Sequence, residues 1–336
     1  MQRLSGIKRY ILYTSLFCLL QTGLVFAKGI PVYHLYAAEF ISGDIIIIDS
    51  ADQKEIGRIK MGLGANPVEI IPSPDKRLLY VTNRGFDEVA VIDIKSRNIK
   101  SRIKMAQGAH PHNMRFSPDG RYLVVGHNQD EYASIIDTAS NKVIGTPRIT
   151  DSNSGASGVA VTPDGRFAYI TAIYRKEISI IDLKRMERVS TIKNLQGCAA
   201  IVIEPRSGLA YFSSNANRVS ILDIKTNKIV GHVMVGDMPN YITLSMDGRV
   251  AFVTNYWSHS VSVIDLKARR ILKEIKTGQE PVSSALSPDG RLLFVVNYGS
   301  GYKGGSISII DVKVLKKIGG IKSLSYPRAV AVVPAA

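Results

Sequence analysis

Apolar residues in this chain come in short bursts, not in helical stripes. Runs of about five aliphatic, β-branched or aromatic residues are separated by Gly, Pro, Asp and Asn, the pattern of short antiparallel strands. One set of bursts runs from Pro67 to Asp93, and later sets echo it. A hydrophobic pair followed by Asp recurs at Asp49, Asp93, Asp137, Asp182, Asp223, Asp265 and Asp311, 41 to 46 residues apart. A Pro-Asp-Gly turn recurs at Asp119, Asp164 and Asp289, with variants at Pro74-Asp75-Lys76, Ser207-Gly208 and Met246-Asp247-Gly248. A repeat of this length with four strand signals predicts a β-propeller blade.

The strands of a blade are called A to D. A precedes the Pro-Asp-Gly turn, B is the Leu79 to Asn83 type of run, C ends on the repeated Asp, and D follows it. Proline fixes φ in the A–B turn and glycine permits positive φ. The repeated Asp is expected to cap the C–D turn as scaffold. The chain starts its first blade in a B-type strand, Tyr33 to Phe40, and ends in an A-type strand, Pro327 to Pro334. The last strand should therefore complete the first blade, a 3+1 closure that leaves no open sheet edge. The expectation is an all-β, seven-bladed propeller of four-stranded antiparallel blades over residues 28–336.

Tyr80-Val81-Thr82-Asn83, Phe252-Val253-Thr254-Asn255 and Phe294-Val295-Val296-Asn297 each follow such a turn. This resembles the YVTN-repeat, YncE-like propellers, over essentially all of residues 33–336. The resemblance implies a seven-bladed, often exported propeller. Its wider relatives include haem d1-type and lactonase-type propellers, so it implies no single activity.

Composition bounds the rest. The chain has 336 residues, 45% of them hydrophobic, enough for a large core. Arg3, Lys8 and Arg9 precede an apolar run from Tyr10 to Leu20, and Val25 and Ala27 stand at −3 and −1 before Lys28. This reads as a secretory signal over residues 1–27, hence a periplasmic or secreted protein. Cleavage would leave Cys198 as the only thiol, so no internal disulfide can form. The ring closes within one chain, and a monomer is expected.

Strand order puts the A–B and C–D turns on one face, the underside. These turns hold 24 of the 40 lysines and arginines that remain after residue 27, and the formal charge goes from +15 to +12. An anionic polymer, lipid or nucleic acid would be favoured there. No element resembles a base-reading motif. The B–C and D–A loops surround the other end of the channel, and rigid scaffolds place ligands among such loops. Candidate ligand contacts there are His110, His112, Asn113, His127, Asn240, Tyr241, Tyr256, Trp257, His259 and Tyr298. The loop after Asn297 is longer than its siblings and runs through Tyr302 and Lys303.

His110-Pro111-His112 is the sharpest local feature. Two imidazoles could serve a metal, a haem iron or an organic ligand, but no further ligand stands nearby in the sequence. The chain has no Cys-x-x-Cys-His for covalent haem, and Gly155-Ala-Ser-Gly158 lacks the context of a nucleophile elbow. The expected function is a non-enzymatic binding scaffold without cofactor, for an unknown protein or small-molecule partner. A lactonase-type hydrolase and a haem d1-type or metal-binding propeller are the alternatives.

Overall fold

The computed structural model describes residues 31–335 except 154, 194, 215, 302 and 303. The expected signal segment and the tip of the long loop at Tyr302 and Lys303 lie outside the described residues. Among the described residues, the strands form seven four-stranded antiparallel sheets. Each runs A, B, C, D in sequence order, with one exception. The first blade combines Pro327–Pro334 with Tyr33–Glu39, Asp44–Asp49 and Lys54–Lys60. Pro327–Pro334 pairs antiparallel with Tyr33–Glu39 from Tyr33 opposite Pro334 to Glu39 opposite Pro327. The 3+1 closure is therefore present. At its seam, a Cβ on Gly305 would stand 2.1 Å from Pro327 Cδ, so only glycine lets the last blade meet the first.

Neighbouring blades make the core between them. Tyr36, Ile45 and Ile47 of the first blade pack on Ile70, Leu79 and Val81 of the second. Tyr80 and Val91 of the second pack on Leu123 and Val125 of the third. Strands B and C are covered on both faces, so they read as continuous apolar runs. Strand D alternates and is mostly exposed, as in Asn98–Lys104. Full burial of each Ile or Leu contributes about 1.5–3 kcal/mol, which is how the ring holds together without disulfides.

The turns are built by the repeated polar residues. All seven landmark aspartates accept backbone N–H groups of the C–D turn, as from Ala51 (2.8 Å), Ser96 (2.8 Å), Ser140 (2.9 Å), Lys184 (3.0 Å), Lys225 (2.8 Å), Ala268 (2.8 Å) and Lys313 (2.9 Å). In the A–B turn, Ser117 Oγ donates to Asp119 Oδ1 (2.5 Å), which also accepts from the Arg121 N–H (3.1 Å). The same unit stands at Asp75, Asp164, Asp247 and Asp289. These hydrogen bonds hold the five carboxyls below the usual carboxylate range.

The A strands line the channel. They are Pro67–Pro72, Pro111–Phe116, Ala156–Val161, Ile201–Glu204, Pro239–Leu244, Pro281–Leu286 and Pro327–Pro334. Cys198, just before the fourth of these, is buried with Sγ 3.2 Å from the Glu177 carbonyl. Burial pushes its thiol up to about 12. No helix among the described residues is long and apolar enough to cross a membrane.

Candidate functional site

The A strands begin at the end of the channel where the B–C and D–A loops gather. There, a cavity of about 120 Å³ is lined by Glu69, His112, Asn113, Ser157, Asn240, Tyr241, Ser283 and Arg328, with Val68, Val282 and Ala329 between them. It draws on six of the seven blades, so it is a property of the closed ring.

Its floor is a polar bridge across the channel. Arg115 Nη1 pairs with Glu69 Oε1 at 2.6 Å, and Arg115 Nη2 donates to Tyr241 Oη at 2.8 Å. Tyr241 Oη also donates to Glu69 Oε1 at 3.1 Å. Glu69, Arg115 and Tyr241 come from the second, third and sixth blades, so the bridge spans the ring. The second carboxylate oxygen of Glu69 accepts the Met114 N–H. Burial first, then Glu69, push the Tyr241 phenol up to about 12 although Arg115 pulls it down. Below the bridge, Arg115 and Tyr241 also line a second cavity of about 330 Å³ with apolar residues such as Phe116, Val202 and Leu244. The bridge thus stands between the two cavities.

Arg328 gives the upper cavity its charge. Its guanidinium lies 5.1 Å from the Phe40 ring centroid and 5.0 Å from that of Tyr298. Such cation–π contact holds the group without neutralising it. Nε is buried and has no hydrogen-bond partner, and no ion pair is made by Arg328 among the described residues. Arg84, in a 3-10 turn over Arg84–Phe86, is close enough to add to the positive field. Burial first, then Arg84, lowers the Arg328 pKa from its ordinary value.

His112 stands in the same cavity with Nδ1 buried and unpartnered. Burial, followed by Arg328 and Arg84, depresses its pKa to about 4. The imidazole is therefore neutral at neutral pH. It offers one nitrogen as donor and the other as acceptor.

The sequence candidates sort into three groups. His112, Asn113, Asn240 and Tyr241 line the cavity. Tyr298 and Tyr256 stand beside it. Tyr298 stacks on Arg328 and packs on Tyr326 at 5.1 Å. Tyr256 donates to Glu280 Oε2 at 2.8 Å, and burial and Glu280 push its phenol to about 12.

The remaining four serve loops. His110 has φ 51° and precedes Pro111, as Asn66, Met238, Glu280 and Tyr326, all at positive φ, precede their prolines. Its Nδ1 lies 2.8 Å from the Gly108 carbonyl. His127 is buried at the end of its B strand, between Asp130 (3.3 Å) and Ser134 (3.1 Å). Asn255 and Asn297 use the same repeat position to donate to serines. His259 accepts the Glu280 N–H through Nδ1 at 3.0 Å. Trp257 is 66% exposed. Among the described residues, no three His, Cys, Asp or Glu side chains stand together as a metal site.

Glu69, Arg115, Arg328 and Arg84 were not singled out from the sequence. A count would have found two of them. The residue six positions before the turn residues Pro74, Pro118, Pro163, Pro205, Met246, Pro288 and Pro334 is Val68, His112, Ser157, Ala199, Asn240, Val282 and Arg328. Five positions before, Glu69 and Tyr241 break a row of small residues.

Fold and channel site together define a seven-bladed β-propeller with a closed ring and a cationic channel mouth. Residues 60–143 match the seven-bladed β-propeller lactonase family, and residues 184–287 match the YNCE-like β-propellers. Both matches are to β-propeller families, each over less than a third of the chain. A chain of Kuenenia stuttgartiensis hydrazine synthase has a similar structure, with a TM-score of 0.68 at 19% identity, covering 81% of this chain and 90% of that one. At that identity the likeness shows the fold alone. No curated protein matches.

Proposed function

We propose that this chain is an exported binding propeller that takes a small organic anion at the channel mouth. One observation carries the reading: Arg328 is held between two aromatic rings, lines a cavity and has no carboxylate partner. A buried cation without a counter-charge costs stability, and a bound anion relieves that cost. The cavity of about 120 Å³ would hold roughly four waters, at about 30 Å³ each. The ligand group it encloses is thus small, roughly four to six heavy atoms. Its anionic group sits on Arg328, and its neutral polar groups meet His112, Asn113 and Asn240.

The test compares wild type with Arg328→Gln in a calorimetric screen of small carboxylates and phosphates. A cognate anion should bind the variant roughly 30- to 100-fold more weakly, the equivalent of one charge-assisted pair. The ligand-free variant should melt no lower than wild type. An anion set that binds both proteins alike would overturn the reading.

A second reading has its own observation, the neutral imidazole of His112, with its Nδ1 unpartnered, within the span that matches the lactonase family. Such a base could take a proton from water as its oxygen attacks a lactone carbonyl. The ring C–O bond would break, the proton would pass to the leaving oxygen, and Arg328 would face the developing oxyanion. Lactone hydrolysis by wild type that is lost in His112→Ala would establish it. Equal rates for the two would exclude it.

A further inference from the structure

An open cleft of about 510 Å³ lies on the underside between the first and second blades. Lys76, Arg77, Lys95 and Arg97 surround it, and Tyr36 and Ile94 lie deepest in it. Asp93 is the one carboxylate among the lining residues. It is engaged by the Ser96 N–H and hydroxyl (2.8 and 2.9 Å) and by Lys100 at 3.8 Å. Asp75 stands 4.0 Å from Arg77 at the rim, and Asp49 is near His34. Four cations thus meet three carboxylates around an apolar floor, with Asp93 already engaged. His34, also in the cleft, is pushed below the ordinary histidine pKa by burial and then by Arg97.

The backbone adds an independent sign. Six A–B turns are made without a chain break, and five put glycine at the left-handed position: Gly120, Gly165, Gly208, Gly248 and Gly290, with φ between 64° and 74°. The turn beside this cleft puts Lys76 there, at φ 58°. L side chains rarely adopt that conformation, and glycine adopts it freely. Other turns of the chain also hold side chains at positive φ, but within the A–B set this turn alone departs from glycine, and such a departure is a candidate for function. Here the substitution places an ammonium at the cleft. Arg97 is fixed by a hydrogen bond from Nη1 to the Ile56 carbonyl at 3.3 Å.

We infer that this cleft binds a phosphomonoester carried on an apolar body, with the phosphate among Lys76, Arg77, Lys95 and Arg97 and the apolar part on Tyr36 and Ile94. Two lysines and two arginines suit a dianion better than a single carboxylate, since guanidinium forks match phosphate oxygens. The site is separate from the channel mouth and does not rest on the reading given for it.

Hexyl phosphate is the probe, with inorganic phosphate and vesicles containing phosphatidic acid, a lipid phosphomonoester, as the other arms, all measured on Arg328→Gln protein so that the mouth does not contribute. Hexyl phosphate should bind saturably and at least fivefold tighter than inorganic phosphate. Adding Lys76→Gly should weaken it five- to tenfold while the melting temperature holds or rises, since glycine suits the turn. Adding Lys267→Gln, an equal charge change elsewhere on the underside, should leave binding unchanged. Vesicle binding that Lys76→Gly also weakens would name a lipid headgroup as the source; binding of hexyl phosphate alone would name a free metabolite. Lys76→Gly binding like its parent, or Lys267→Gln weakening binding as much, would overturn the proposal.

Discussion

The two ends of the channel are built by opposite rules. On the underside, one chemical unit is copied around the ring. Seven aspartates cap seven C–D turns, and five Ser/Thr-x-Asp units tie A–B turns. At the mouth, equivalent strand positions carry Val68, His112, Ser157, Ala199, Asn240, Val282 and Arg328, with little repetition. Copies that each satisfy local backbone groups are scaffold. Positions where the copying stops are free of that task and available for a ligand. The rule also works on the underside, where Lys76 is the break in an otherwise glycine-bearing set.

The largest effect should come from breaking the bridge at the floor of the mouth. Glu69→Ala removes the counter-charge of Arg115, whose pKa burial lowers and Tyr241 and Glu69 raise, with a net upward shift. Leaving that guanidinium unpaired in the channel should cost about 3 kcal/mol, toward the low end for a buried pair because the Arg115 side chain keeps 28% exposure. Urea unfolding gives the number, and a loss under about 1 kcal/mol would mean the bridge is a surface-type contact. On the underside, Asp119→Ala breaks one exposed copy of a repeated unit. It should cost about 1 kcal/mol, since solvent replaces much of the lost hydrogen bond.

Acid separates the two ends more finely. The unfolded chain takes up a proton on His112 near pH 6.5, the folded protein only near about 4. The unfolded state binds more protons in that window, so stability is full above about pH 6.5 and falls as pH drops toward 4. The turn carboxyls have the opposite type of group and the same sign. Their folded pKa values are depressed. Their contribution is present above the unfolded value of about 3.9 and is lost as pH falls through the lower folded values. Melting temperature against pH should therefore fall in two limbs. His112→Phe should flatten most of the upper limb, leaving the share of His34, whose pKa burial also lowers, and leave the lower limb. A variant that keeps both limbs would show that His112 is not enclosed as described.

The fold was legible because its signals are local and repeated. Each landmark Asp binds backbone two or three residues on, and each inner B and C strand announces double-sided burial by an unbroken apolar run. Closure was legible from the missing strands at the two ends. The site was legible only where a residue departs from the repeat and also sits on an A strand, as at His112, Asn240 and Tyr241. Aromatic and His-bearing loops drew attention to His110, His127 and His259, whose imidazoles hold turns. Glu69 and Arg328 also break the repeat on A strands, but only the closed ring shows what they face, and Arg115 was hidden because it touches partners distant in sequence. Tyr241 lies 172 residues from Glu69 and 126 from Arg115, and no spacing reports such a meeting before the ring is closed.

Trp257 gives the smallest and most pointed comparison. It is the only tryptophan, it departs from the repeat, and it stands on the loop face near the mouth. Yet its side chain is 66% exposed, and its backbone N–H donates to the Asp237 carbonyl at 3.3 Å, a contact any residue could make. Trp257→Ala should shift stability by no more than about 0.5 kcal/mol, as for an exposed side chain without buried partners. Binding of the mouth anion should be unchanged, because Trp257 is absent from the cavity lining. A tenfold loss of anion affinity in this variant would extend the ligand out of the channel and over the loop face. Equal affinity would confine it to the A strands, where the charge and the neutral imidazole are.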